Sequence, residues 1–255
     1  MSKNSRQKAG KKAETGKKAS PIKKAPSSKK TSSIGTKKEG SLHRSLKFHY
    51  SGTGGDTEKA AGAYVCDAQT SEGELIEVQT GSFGPLKEKA KMLVKTGKLK
   101  IIYPVVIQKT IELFDVEGRL IRRRKSTRKG SEWDLFGALV YAPELPLLKN
   151  LSMELAVIDV TEKRIDDGSG SWRRKGVRIS DRILGAWHYS IVLKSPKDFS
   201  RFIPFKKNER FTARLLTGKA GIPASLAQKA LYVLTKMDLV ERIGKQGNAI
   251  VYKRR

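Results

Sequence analysis

Two runs of sequence and the turn between them decide the fold: AYVCDAQ (residues 63–69) and LIEVQTGSFGPL (residues 75–86). Both are rich in β-branched and aromatic residues, and Thr70-Ser71-Glu72-Gly73 between them is turn chemistry, so they predict a β-hairpin. The second run leaves its strand through Thr80-Gly81-Ser82 and enters a helix over residues 85–96, with Pro85 in the first turn and Gly97 past the end. Side chains alternate along a strand, which puts Asp67 with Val65 and Gln69, and Glu77 with Leu75 and Gln79. A tight hairpin then brings Asp67 and Glu77 face to face. Carboxylates so placed repel unless a cation lies between them or one is protonated. The plainer alternative is an amphipathic strand with one wet face.

Working outward, residues 41–50 carry Leu42, Leu46 and His49-Tyr50 at helical spacing, and SGTGGDT (51–57) reads as a loop. That loop lacks the Lys-Ser/Thr that would make it a phosphate-cradling P-loop. KIIYPVVIQ (100–108) is almost continuously apolar, as in a strand covered on both faces. Residues 110–116 and 118–124 form a second hairpin around Glu117-Gly118. A helix is expected over 131–142, with Ser131 as N-cap and Asp134 near the positive helix end. A strand follows over 153–165. Residues 41–203 therefore read as a mixed α/β domain. From 208 to 255 the order is helix, turn, helix, two-stranded hairpin, with Gly221 closing the first helix.

Lysine and arginine number 53 against 25 acids, a formal net charge of +28. No fold requires that self-repelling excess, and a polyanion is the economical partner: nucleic acid, with DNA first. Residues 1–40 hold thirteen lysines and arginines against Glu14 and Glu39, with almost no large apolar side chain. They predict a disordered basic arm suited to phosphate contact by counterion release; a solubility tail is the alternative. No apolar run is long enough for a membrane span, and no signal peptide or lipidation motif is present, so the expected location is cytoplasmic, on the nucleoid, with no membrane partner. Cys66 is the sole cysteine, which excludes an intramolecular disulfide. With three histidines (43, 49 and 188) at no ligand spacing, any metal would rest on oxygen ligands, pointing to Mg²⁺ or Mn²⁺. No dinucleotide fingerprint calls for a small-molecule cofactor.

Asp67, a turn, then Glu77-Val78-Gln79 on a strand leading into a helix resembles the core of the PD-(D/E)XK nucleases, over residues 56–108. The resemblance implies a restriction-endonuclease-like fold with Asp67 and Glu77 as metal ligands and catalytic carboxylates, and Glu58 as a further ligand. Gln79 stands where a lysine is usual. In some relatives that lysine comes from the next helix, where Lys87 and Lys91 stand. The C-terminal block resembles a winged helix-turn-helix, which implies groove contacts from Ser225, Gln228 and Lys229 and wing contacts from Lys245 and Gln246. Two basic clusters complete the interface: Arg122-Arg123-Arg124 with Arg128 and Lys129, and Trp172-Arg173-Arg174, where an aromatic plane and guanidiniums can stack on bases and pair with phosphates. Two readings follow. One is a bacterial-type DNA-binding protein that cuts or processes DNA with Mg²⁺ or Mn²⁺. The other is a non-enzymatic binder whose nuclease fold is a scaffold.

Overall fold

The computed structural model describes residues 39–62 and 64–255, so the basic arm expected over 1–40 lies, apart from Glu39 and Gly40, outside the described residues. Residues 38–255 form one compact unit. Helix α1 (Ser41–Ser51) leads into strands β1 (Asp56–Ala61), β2 (Tyr64–Gln69) and β3 (Leu75–Val78). Then come α2 (Lys87–Thr96), β4 (Leu99–Phe114), β5 (Leu120–Lys125), α3 (Asp134–Leu139), β6 (Leu151–Asp166) and β7 (Val177–Leu193). The C-terminal block is β8 (Arg210–Thr212), α4 (Ala213–Ala220), α5 (Ala224–Lys236), β9 (Val240–Gln246) and β10 (Ala249–Arg254).

The main sheet is mixed and runs β1-β2-β3-β4-β6-β7, with β5 also on β4. β3, β4 and β6 are parallel to one another; β1–β2, β2–β3, β4–β5 and β6–β7 are antiparallel. Residues 100–108 and 110–116 are not separate strands. They form the single β4, which follows β6 from Leu99 opposite Leu151 to Phe114 opposite Ile165, with one irregularity between Val106 and Gln108. β4 is flanked by β3 at its start and by β5 at its end, leaving its middle uncovered on that edge. Ile102 and Val106 turn their carbonyls to this edge, accepting from Gln79 N at 2.8 Å and Gly130 N at 3.0 Å. Pro104 lies between them, where a residue with no N–H leaves no donor unpaired.

Each face of the sheet has its own core. On one, Leu42 and Leu46 of α1 pack on Ala68, Ile76, Val78, Ile102, Ala156 and Ile158. On the other, α2 and α3 pack with the C-terminal block: Phe136, Phe199, Phe202, Leu216, Ala230 and Leu231 belong to one continuous cluster with Leu99, Ile101 and Leu155. Each fully buried Leu or Phe contributes about 1.5–3 kcal/mol. Expectation and structure differ in two further places. The stretch read as a loop ends in β1, a polar, exposed strand paired only with β2. The helix expected over 131–142 is α-helical only over Asp134–Leu139, and the capping runs the other way, the Asp134 carboxylate accepting from Ser131 N at 3.3 Å. The segment after Trp172 is the long edge strand β7. Gly221 does close α4, at φ 63°, in the left-handed region that glycine adopts without penalty.

Candidate functional site

The β2–β3 ladder has two paired positions, Ala68 opposite Ile76 and Gln69 opposite Leu75. Beyond them the side chains take over. The Asp67 carboxylate accepts from Val78 N at 2.8 Å, and the Glu77 carboxylate accepts from Asp67 N at 3.3 Å. Each acid thus finishes the backbone pairing of the other's strand.

The expected face-to-face pair is not what forms. Asp67 turns to the α1 face, where His43 Nε2 lies 3.2 Å from its Oδ2. Glu77 turns to the α2 face, is buried, and forms an ion pair with Lys89. Two protein cations on two faces resolve the repulsion that motivated a bridging metal. Burial, and then the Asp67 charge, push the Glu77 carboxyl up to about 7 against the pull of Lys89. Burial also raises Asp67, yet the hydrogen bonds from His43 and Val78 N outweigh it and hold that carboxyl below its ordinary value.

His43 is bound on both sides. Nδ1 meets Glu39 Oε1 at 2.6 Å, and Nε2 meets the Val78 carbonyl at 3.0 Å as well as Asp67. All of these neighbours are acceptors, so both ring nitrogens donate and the ring is an imidazolium. Against burial, which lowers it, Asp67 and Glu39 push its pKa up to about 9. Lys47 extends the network, 3.1 Å from Glu39 and 3.4 Å from Glu58.

Several expected roles move. Glu58 is exposed, sits on Lys47 and does not join Asp67 and Glu77 as a ligand. Gln79 lies past the end of β3 and donates its amide to the Ser82 carbonyl, so it does not work beside Glu77. Lys87 pairs with Glu144 and Lys91 with Glu88; Lys89 is the α2 lysine that reaches the site. His43, one of the three histidines at no ligand spacing, is the partner of Asp67. The signal for both was helical phase. Lys89 is one turn before Leu93, which α2 buries, and His43 follows Leu42, which α1 buries. Among the described residues no three His, Cys, Asp or Glu side chains are arranged to hold a metal ion. As a donor set for Mg²⁺ or Mn²⁺, Asp67 and Glu77 do not fit: each already holds a protein cation and a backbone N–H.

A groove lies close by, though neither Asp67 nor Glu77 lines it. It starts beside His43, Thr80 and Arg182, continues past Lys109 and Arg128 along the open edge of β4, and widens into a cleft of about 790 Å³ between α3 and α5. Arg128 and Lys129 from one side and Ser225 and Lys229 from the other line that cleft. Gly130 is required at its wall, because a Cβ there would stand 2.3 Å from the Val106 carbonyl oxygen. Gln228 is exposed on α5, and Lys245 and Gln246 are exposed at the end of β9, near the β9–β10 turn and apart from the cleft. Arg122, Arg124 and Lys125 are exposed along β5, and Arg123 is exposed 3.4 Å from Glu112. Trp172 is 83% exposed in the β6–β7 connection, with the Arg173 guanidinium 5.5 Å from its ring. Arg174 donates to the Val177 carbonyl at 3.1 Å. No described helix is long and apolar enough to cross a membrane.

The family described as "Domain of unknown function (DUF8091)" matches residues 40–194, more than half of the chain and the segment that carries the carboxylate pair and both basic clusters. An uncharacterized protein of Treponema pallidum (strain Nichols) is 31% identical over 152 residues, 60% of this chain and 61% of its own length. The chain thus matches about three-fifths of that relative's length. No solved structure gives a significant match.

Proposed function

The chain belongs to the DUF8091 family, and we propose that it is a DNA-binding protein whose nuclease-like α/β core acts as a scaffold for binding. The groove carries this reading: Arg182, Lys109, Arg128, Lys129 and Lys229 come from β7, β4, the β5–α3 connection and α5 and line two adjoining cavities that share Arg128 and Gly130. Cations lining adjoining cavities fit a single polyanionic strand better than a uniformly solvated surface. The Asp on the first strand of a hairpin, Glu77 on the second with Gln79 just past its end, and the helix that follows support the likeness of this core to the PD-(D/E)XK nucleases. The order β8, α4, α5 and the β9–β10 hairpin supports the likeness of the C-terminal block to a winged helix, with Ser225 and Lys229 facing the same cleft. The arm over residues 1–40 adds sequence-independent attraction.

A second reading, which requires Asp67 and Glu77 to release His43 and Lys89 in favour of a metal, is catalytic: hydrolysis of phosphodiesters with Mg²⁺ or Mn²⁺. One observation favours it, a lysine from α2 docked on a buried carboxylate titrating near neutrality. One set of measurements separates the two. Labelled duplex, single-stranded and branched DNA are titrated with wild type and with the triple variant Arg128→Gln/Lys129→Gln/Lys229→Gln. Binding is expected to weaken by roughly a hundredfold at low salt, with a shallower salt dependence. Equal binding by the variant overturns the groove assignment. The same substrates incubated with Mg²⁺ or Mn²⁺ are expected to stay intact; cutting that Glu77→Ala abolishes would establish the catalytic reading instead.

A further inference from the structure

Beyond the core, β5, β4, β6 and β7 continue side by side as a four-stranded extension. Its register places Arg124 opposite Ile111, Ile111 opposite Glu162, and Glu162 opposite Arg182. Residues opposite one another share a face, so this is one row across four strands. On that face Glu162 is fully buried, at 0% exposure. It holds three cations. Arg164 donates from Nε at 2.9 Å, Arg182 from Nε at 3.0 Å and Lys109 from Nζ at 3.2 Å. The three cations lean on the carboxylate in different ways: Arg164 binds one of its oxygens, while Arg182 and Lys109 share the other.

One carboxylate neutralises one cation. Three cations gathered on it leave an excess of two positive charges, and three like charges at this spacing repel. Glu162 fixes two planar guanidinium forks and an ammonium on one spot, with Arg182 still half-exposed. Arg182 and Lys109 also line the groove, next to Arg128. Burial raises the Glu162 carboxyl, but Arg164, Arg182 and Lys109 outweigh it and bring it down to about 2, so the anchor stays ionised at any working pH.

We infer that Lys109, Arg164 and Arg182, oriented by Glu162, form a seat for one phosphate group, and that its occupant is a backbone phosphate of the DNA in the groove. This rests on the DNA-binding reading for its occupant, not for the seat itself. Glu162 is here a positioning residue, since it touches no ligand.

The test measures DNA binding against salt for wild type, Arg182→Gln/Lys109→Gln, Arg182→Lys and Glu162→Gln, with melting curves for each. The double variant is expected to bind about tenfold more weakly, with the slope of log K against log salt reduced by about one. Arg182→Lys keeps the charge and loses the fork, so affinity falls while the slope stays. Glu162→Gln removes a negative charge. A simple charge count demands tighter binding, whereas a seat whose forks have lost their anchor binds more weakly. Unchanged binding and slope in the double variant, or tighter binding by a folded Glu162→Gln, overturns the seat while leaving DNA binding standing. If the wild type binds no DNA, inorganic phosphate is titrated against the Arg164 and Arg182 side-chain NMR signals. Saturable shifts lost in the double variant would establish a seat for free phosphate and overturn the DNA occupant. No shifts would overturn the seat altogether.

Discussion

His43 and Glu77 sit on opposite faces of one strand pair and both make stability depend on pH, in adjoining windows. The Glu77 carboxyl is raised from its ordinary 4.5 to about 7. Between those values the folded chain holds a proton that the unfolded chain has released, so stability falls as pH rises through that range. His43 is raised from 6.5 to about 9. Its contribution is complete below pH 6.5 and lost as pH rises through 9. We therefore expect the melting temperature to decline in two steps. His43→Gln should flatten the upper step, which amounts to roughly 3 kcal/mol at most. Glu77→Gln should flatten the lower one. Melting curves at half-unit pH intervals check both. A His43→Gln protein that still declines between pH 6.5 and 9 as steeply as wild type would remove the imidazolium from the account.

At the scale of the element, the β6–β7 connection is the clearest case of exposure without a packing role. Trp172 touches no core cluster, and the left-handed Lys175 and Gly176 turn the chain tightly behind it. Trp172→Ala should leave the melting temperature within about two degrees, since surface changes stay within ±0.5 kcal/mol. It should weaken single-stranded or branched DNA binding by about 1–3 kcal/mol per stacked base. Equal binding by the variant would make the ring a bystander. Elements differ in how far the sequence discloses them. The 64–78 hairpin, α1, α2 and the C-terminal order are legible because apolar period and turn residues agree. β1 escapes because its Asp-Thr-Glu-Lys sequence buries nothing and is held only by pairing with β2, with Glu58 at φ 57° outside the ladder. Lys109 makes β4 look like two strands, because the carboxylate that accepts its charge lies 53 positions on. The site shows the same limit. Asp67 and Glu77 are visible as an acidic pair on a hairpin, but which cation each holds depends on two helices packed on opposite faces, a tertiary fact with no local pattern. Lys87 and Lys89 differ only in helical phase, and the single 3₁₀ turn over Gly84–Leu86 sets that phase.

For the whole molecule, the change of architecture near residue 204 is not a break in the core. Phe136 of α3 meets Phe202 edge to face, with ring centres 4.9 Å apart, and the same cluster runs on into α4 and α5. Residues 38–255 should therefore unfold as one cooperative unit. Phe136→Ala is expected to cost about 3–5 kcal/mol and to lower a single calorimetric transition. Two resolved transitions, with only the later residues destabilised, would show the C-terminal block to be an independent folding unit.

The parallel pairing of β4 with β6 has a consequence for how this chain comes into being. Leu99 meets Leu151 and every later pair is as distant, so neither strand can use a local hairpin to find the other, and closure waits on the loop between them. During synthesis β4 is complete long before β6 exists. Until then its apolar stretch from Ile101 to Ile107 has one entire edge open, an invitation to pair with another nascent chain. Chains interrupted before residue 151 should accordingly be aggregation-prone and depend on chaperones, while chains extended through Asp166 acquire the partner strand that closes the edge.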